Sequence, residues 1–226
     1  MITVKVDTKE YSFETKWQEF TYLRFCDVVA ASDSSLIERL SKYTTIPIIN
    51  LNGLDFGQIS YLTGLCAFMD SYEDAILFCK PYTDDLSIAK ETYQKIEMAK
   101  TYLQAKKPLL ALSEIVELYY GENLKDTLIV DSLGKGLALL KKIDEFTKSY
   151  PELYEYQPTP EEIEAGVEDL AVLGSFYTVK KMAEKFQKHP DEILNWQAGV
   201  VYAFLKADAI DARINRNLQK IYSRKK

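Results

Sequence analysis

Histidine is almost missing from this chain. Among 226 residues the only one is His189, so no imidazole pair exists to hold a metal, and Ser-His-Asp or Cys-His catalysis has a single candidate base with nothing tying it to a nucleophile. His189 precedes Pro190 and reads as a turn or helix-cap residue. Cysteine is scarce and odd in number: Cys26, Cys66 and Cys79 sit in apolar surroundings without C-x-x-C spacing, which reads as reduced, buried thiols rather than a disulfide framework or a zinc site. No run approaches the ~20 apolar residues of a membrane span, and the start of the chain lacks the apolar core of a secretory signal. The expectation is a soluble protein made in the cytoplasm, with no membrane partner.

A surplus of positive charge is also lacking. The net charge is −6 and the pI about 5.1, so nucleic acid is disfavoured as a partner except at a local basic patch. What is abundant is apolar and aromatic material, at 47% and 12% of residues, ample for a packed core.

Nucleotide and metal motifs fail on spacing. Gly134-Lys135-Gly136 lacks the rest of G-x-x-x-x-G-K-[ST] and is followed by Leu137, so it reads as a helix irregularity. Asp84-Asp85 and Glu161-Glu162-Glu164 are placed as helix-start acids rather than calcium ligands. Sixteen tyrosines read as core-edge residues. No cofactor, metal or catalytic residue is assigned, and the chain reads as a non-enzyme.

The predicted fold is mainly α with a small N-terminal β element (α+β): an N-terminal hairpin followed by helical bundle segments. Ile2, Val4 and Val6 alternate with polar residues, as do Tyr11 and Phe13, with a polar break between. Helices are expected at 22–31, 36–43 and 56–69, a loop over Pro47 and 50–53, and a further strand at 75–79. From residue 86 the pattern is helical, at 88–105, 109–120 and 128–146. A proline-bearing stretch at 150–160 is the best boundary, and helices follow at 161–173, 179–187, 190–196 and 198–223. The domain expectation is 1–82, 83–150 and 159–226.

The last segment carries most of the chemistry. Thr159 and Glu162 form a capping box around Pro160. Residues 152–169 hold seven carboxylates and no cation, whereas 212–226 hold six cations and no carboxylate. Residues 178–196 have the rhythm of a helix-turn-helix. Its second helix opens with Asp191 and Glu192, which would face phosphates, so a compact knot of Val179, Ala183, Phe186, Ile193 and Trp196 is preferred over a DNA reader. The final helix places Ile210, Ile214, Leu218 and Ile221 on one face with basic groups beside or opposite. Candidate interaction residues are Arg213, Arg216, Lys220 and Arg224 against Glu161, Glu162, Glu164, Glu168 and Asp169, paired head-to-tail between subunits of a homo-oligomer.

The run from Pro160 through Ala165, Gly166, Glu168, Leu170, Leu173, Gly174, Phe176, Thr178, Val179, Met182, Ala183 and Glu184, then Pro190 to Trp196 and a charged terminal helix, resembles small tail-region and tail-assembly proteins of bacteriophages. The opening, with Trp17 to Thr21 after a hairpin and Tyr43 to Pro47 after a helix, is similar to them too. The likeness lies in helix caps and apolar rhythm, so no active site comes with it. It implies a non-enzymatic protein of the phage neck or tail, a connector or ring-type subunit that contacts other phage structural proteins and resides in the virion after assembly in the host cytoplasm. The alternatives are a tail assembly chaperone absent from the mature particle, or a DNA-binding regulator using the 178–196 corner.

Overall fold

A computed structural model describes residues 1–6, 8–104, 108–124, 126–154 and 158–223, with side chains left undescribed at 72, 73, 108, 109, 161, 168, 171 and 172. Two strands, β1 (Ile2–Val6) and β2 (Lys9–Phe13), form an antiparallel hairpin with Ile2 opposite Phe13 and Val6 opposite Lys9. The α-helices follow as α1 (Tyr22–Ala31), α2 (Leu36–Thr44), α3 (Ile48–Leu51), α4 (Phe56–Cys66), α5 (Tyr93–Leu103), α6 (Leu112–Tyr120), α7 (Ile129–Lys148), α8 (Pro160–Glu164), α9 (Gly174–Phe186), α10 (Pro190–Leu194) and α11 (Ala198–Ser223). The chain is thus mainly helical with one small β element.

Local chemistry explains most of these boundaries. The Thr21 side chain accepts from Arg24 N at the start of α1, and Ser35 with Glu38, and Asp55 with Gln58, close reciprocal capping boxes on α2 and α4. Gly121 ends α6 in the left-handed region (φ 69°), its N–H reaching Glu117 O at 2.8 Å.

Several expectations are corrected. The 75–79 run is not a strand: Tyr72–Phe78 is a 3₁₀ helix. A continuous apolar run has no period to separate strand from helix, and only Ala75 of this one is buried while Ile76, Leu77 and Phe78 are exposed. The loop after Pro47 contains α3, because Pro47 supplies an extended cap (φ −57°, ψ 141°) from which a helix can start. The helix expected over 161–173 breaks at Gly166 (φ 83°), leaving α8 and a separate 3₁₀ turn at Val167–Leu173. Glycine reaches that backbone geometry without a Cβ penalty, so it stops the helix. The helix expected over 88–105 is interrupted: a 3₁₀ turn at Ile88–Lys90 is separated from α5 by non-helical Glu91 and Thr92, while the 109–120 helix opens directly with the 3₁₀ turn Pro108–Ala111; residue 105 lies outside the described residues.

The chain divides into two compact units, each assembled from two stretches: residues 1–84 with 102–139, and 85–101 with 140–226. The central segment 83–150 therefore contributes to both. In the first unit, Trp17 packs edge-on against Phe25 and Phe68 at 5.8 and 5.3 Å between ring centroids. Phe20 also contacts Trp17, at 5.1 Å, and Phe13, Leu40, Ile115 and Leu133 of the same unit are buried. Residues 20–22 and 127–129 are joined by backbone bonds, Tyr22 N to Thr127 O and Ile129 N to Phe20 O, both 2.9 Å. The buried Tyr22 hydroxyl accepts from Ser113 N at 3.0 Å, fastening α1 to α6.

The second unit is built on Tyr202 of α11, ringed by Tyr93, Phe146 and Tyr150 at 6.1, 4.9 and 5.2 Å, with the Lys100 ammonium 5.2 Å from its ring centre. Two backbone bonds, Tyr93 N to Trp196 O and Ala198 N to Glu91 O, both 2.8 Å, bind the 91–93 segment to the start of α11. A Cβ on Gly199 would sit 3.1 Å from the Ala89 carbonyl oxygen and 3.1 Å from its Cβ, so glycine lets the two segments approach closely. The α9–α10 corner closes as an aromatic knot. Phe186 lies 5.2 Å from Trp196 and 4.7 Å from Phe204, with Val179, Ala183 and Ile193 buried beneath. Phe204, which the sequence pattern did not single out, completes it from α11.

Candidate functional site

A cleft of about 1060 Å³ lies within the second unit, between Glu152, Thr159 and Glu162 and one face of α11. One wall carries Glu152, Thr159 and Glu162; the other carries Arg213, Arg216 and Lys220 around a floor of Ala209 and Ala212. Residues 209, 212, 216, 220 and 223 recur every three or four positions, with Arg213 beside them, so they share one side of a helix with 3.6 residues per turn. The two stretches of opposite charge expected to meet across subunits thus face one another inside a single chain.

Specific bonds fix the acidic wall. Glu152 Oε1 meets Lys206 Nζ at 2.8 Å. The hydrogen bond from Lys206, aided by a backbone N–H and by the charges of Lys206 and Arg213, holds the Glu152 carboxyl below the usual range. Glu162 completes the predicted capping box: Thr159 N donates to Glu162 Oε2 at 2.8 Å, and Glu162 N donates to Thr159 Oγ1 at 3.3 Å. Four of the candidate interaction residues, Arg213, Arg216, Lys220 and Glu162, therefore converge on the cleft. Glu164 is exposed on α8, and Asp169 folds back toward Gly166, donating its N–H to Gly166 O at 3.0 Å. The side chains of Glu161 and Glu168, and Arg224 altogether, lie outside the described residues.

The opposite side of α11 carries the aliphatic row. Ile214, Leu218 and Ile221 are 40–50% exposed, and from residue 211 to 223 only Arg216 is even half-buried. The helix turns its basic groups toward the cleft and its apolar groups to solvent on the other side.

The basic residues of the α9–α10 corner each face a carboxylate. Lys185 meets Asp208 at 2.6 Å, Lys188 meets Glu192 at 3.0 Å, and Lys180 and Lys181 both approach Glu184, at 3.9 and 3.8 Å. His189 is the N-cap of α10: its Nδ1 accepts from Asp191 N at 3.4 Å and its own N–H donates to Glu192 Oε1 at 3.1 Å.

The sequence reading missed a second feature, located in the first unit. Lys135 is enclosed by Tyr82 and Tyr120, its ammonium 5.0 and 4.5 Å from their ring centres and 2.5 Å from Glu122 Oε1. Burial works against its charge, yet the Glu122 hydrogen bond and the two groups' attraction outweigh it and raise the ammonium's pKa. The Tyr120 hydroxyl bonds Asp84, and burial with that contact pushes its pKa well up. The flanking glycines permit this. A Cβ on Gly134 would lie 2.0 Å from the Lys80 carbonyl oxygen and one on Gly136 3.2 Å from Leu112. The helix α7 runs unbroken through all three residues, which corrects the expectation of a helix irregularity. The glycines let the 80–82 segment and α6 close on α7, and the usable signal was their spacing of two around a lysine.

All three cysteines are free thiols, Cys66 buried and Cys26 and Cys79 half-buried. Burial raises their pKa to about 12 for Cys66 and about 11 for the other two. Among the described residues, no group of three or more His, Cys, Asp and Glu side chains could hold a metal ion, and no helix is long and apolar enough to cross a membrane. Comparison with protein-family models, with curated proteins and with solved structures finds no match.

Proposed function

We propose that this chain is a non-enzymatic structural protein of a phage neck or tail, a connector or ring-type subunit that works by contacts with other proteins and resides in the virion. The phage setting comes from the resemblance of its helix caps and apolar rhythm to tail-region proteins. The observation that carries the mode of action is the distal half of α11. A regular helix presents Ile214, Leu218 and Ile221 to solvent along one side while Arg213, Arg216 and Lys220 line the cleft on another. An exposed apolar row of this kind marks a surface that another chain covers.

The test is mass spectrometry of purified particles from a phage that encodes the chain. A structural subunit is recovered at a fixed ratio to known tail proteins. Recovery only from infected-cell lysate, bound to a tail protein but absent from finished particles, would make it an assembly chaperone instead. Absence from both overturns the reading.

A further inference from the structure

We infer that Asn52 is a self-modification site: in the folded protein the Gly53 amide nitrogen attacks its side chain and converts it to isoaspartate and aspartate. The inference goes beyond the structural role proposed above and does not depend on it. The chain holds six asparagines, at 50, 52, 123, 195, 215 and 217, and only Asn52 is followed by glycine. The attacking atom is the backbone nitrogen of the next residue, so a side chain on that residue obstructs the reaction. Leu51, Leu124, Trp196, Arg216 and Leu218 follow the other five. Gly53 brings no Cβ and gives the backbone the freedom to turn its nitrogen toward the Asn52 side chain.

The fold leaves this pair open. Asn52 and Gly53 are both exposed, at the end of the one-turn helix α3, where Asn52 is the C-cap (φ −66°, ψ −18°). Gly53 N is held by a bond to Asn50 O at 3.2 Å, and terminal turns of this kind fray and open locally. The atom nearest to a Cβ on Gly53 would be Asn50 O, at 3.5 Å, so the space beside it is free. Other asparagines are restrained: Asn50 Nδ2 donates to the Tyr11 hydroxyl and Asn195 Nδ2 to Asp191 O, both at 2.8 Å, while Asn215 and Asn217 lie inside α11. Among the described residues, nothing hydrogen-bonds the Asn52 carboxamide.

The reaction needs only water and solvent base. Gly53 N gives up its proton and bonds to Asn52 Cγ; the side-chain nitrogen takes up a proton and leaves as ammonia, closing a five-membered succinimide, an intramolecular step favoured by proximity. Water then adds to one of the two ring carbonyls. Opening at the backbone carbonyl gives isoaspartate, with the main chain running through Cγ; opening at Cγ gives aspartate. Nothing is oxidised or reduced. Either product adds a negative charge to a chain already at −6, on the turn between the exposed Ile49 and Phe56. Isoaspartate also lengthens the main chain by one carbon directly after Leu51, whose burial anchors α3.

The test holds the full chain at mildly alkaline pH and body temperature for days to weeks, then follows the tryptic peptide 43–80 by mass spectrometry with fragmentation that separates Asn52 from Asn50. The expected result is a gain of about one dalton at Asn52, roughly tenfold faster than at any other asparagine, with ammonia released in equal amount. Gly53→Ala is expected to slow it roughly tenfold. That variant folds, because Gly53 is outside the left-handed region and its new Cβ makes an ordinary contact, and circular dichroism checks it. The same chain unfolded in guanidinium chloride sets the unprotected rate, and the folded rate is expected within about tenfold of it. A folded chain whose Asn52 stays intact while the unfolded chain converts, equal conversion at another asparagine, or Gly53→Ala reacting as fast as the parent would each overturn the inference.

Discussion

Replacing Gly134 by alanine tests whether the first unit is held by the close approach of Lys80 to α7. By helix propensity alone the change is favourable by about 1 kcal/mol, since glycine inside a helix is disfavoured. The structure reverses the sign. The new Cβ would stand 2.0 Å from the Lys80 carbonyl oxygen and 3.2 Å from its carbon. The obstacle is backbone, which cannot swing aside as a side-chain tip can, so α7 or the 80–82 segment must retreat by about 1 Å to reach a normal contact. Overpacking of this kind costs about 1–3 kcal/mol. Retreat also strains the Lys80 N to Val130 O bond of 2.9 Å, worth about 1 kcal/mol. Against the propensity gain the net loss is about 1–3 kcal/mol, or roughly 3–10 °C in the melting of this unit. Urea denaturation followed by circular dichroism measures it. Gly64→Ala is the control, because no atom lies within 4 Å of its Cβ position on exposed α4, and it is expected to stabilise by roughly 0.5–1 kcal/mol. If Gly134→Ala matches Gly64→Ala in stability, the close-approach argument is refuted.

Thr45 holds φ at 61° at the end of α2 while its side chain is exposed, and a β-branched residue is strained there; Thr45→Gly is expected to stabilise by about 1 kcal/mol in thermal melts. Because the Glu152 carboxyl is held below its ordinary value of 4.5, its contribution is fully present above that pH and drains away as pH falls through the lower folded-state value. Stability measured from pH 6 downward is expected to fall less steeply in Glu152→Gln and Lys206→Met, and an unchanged slope would remove the pair from the account. Thiols raised to about 11 and 12 by burial are expected to react slowly with Ellman's reagent at pH 8 and to release all three equivalents at once in denaturant. Fast reaction of Cys66 in the native protein would contradict its burial.

Much of the secondary structure was legible from short-range chemistry. Helices α1 and α11 lie where their apolar spacing puts them, the capping box at Thr159 and Glu162 forms as spaced, and His189 caps α10. What was hidden depends on contacts between residues distant in sequence. Nothing local in Ala75 to Cys79 distinguishes strand from 3₁₀ helix, since a strand exists only where a neighbour pairs with it. The glycines of α7 explain themselves only once Lys80 and Leu112 are seen against them. The cleft was half legible: two stretches of opposite sign are visible in the sequence, but whether they meet within one chain or between two is decided by the fold, through contacts such as Lys206 with Glu152.

The interleaved ancestry of the two units constrains how the polypeptide can be cut. A ribosome completes the first unit only after residue 139 has emerged, and the second needs residues 85–101, made long before its bulk. An expression clone starting at the prolines near 158 would discard Ala89, Glu91 and Tyr93, the very backbone and ring on which the root of α11 is seated. Such a fragment is expected to emerge as a molten or aggregated product, so deletion mapping of this molecule should proceed by point substitution rather than by halves.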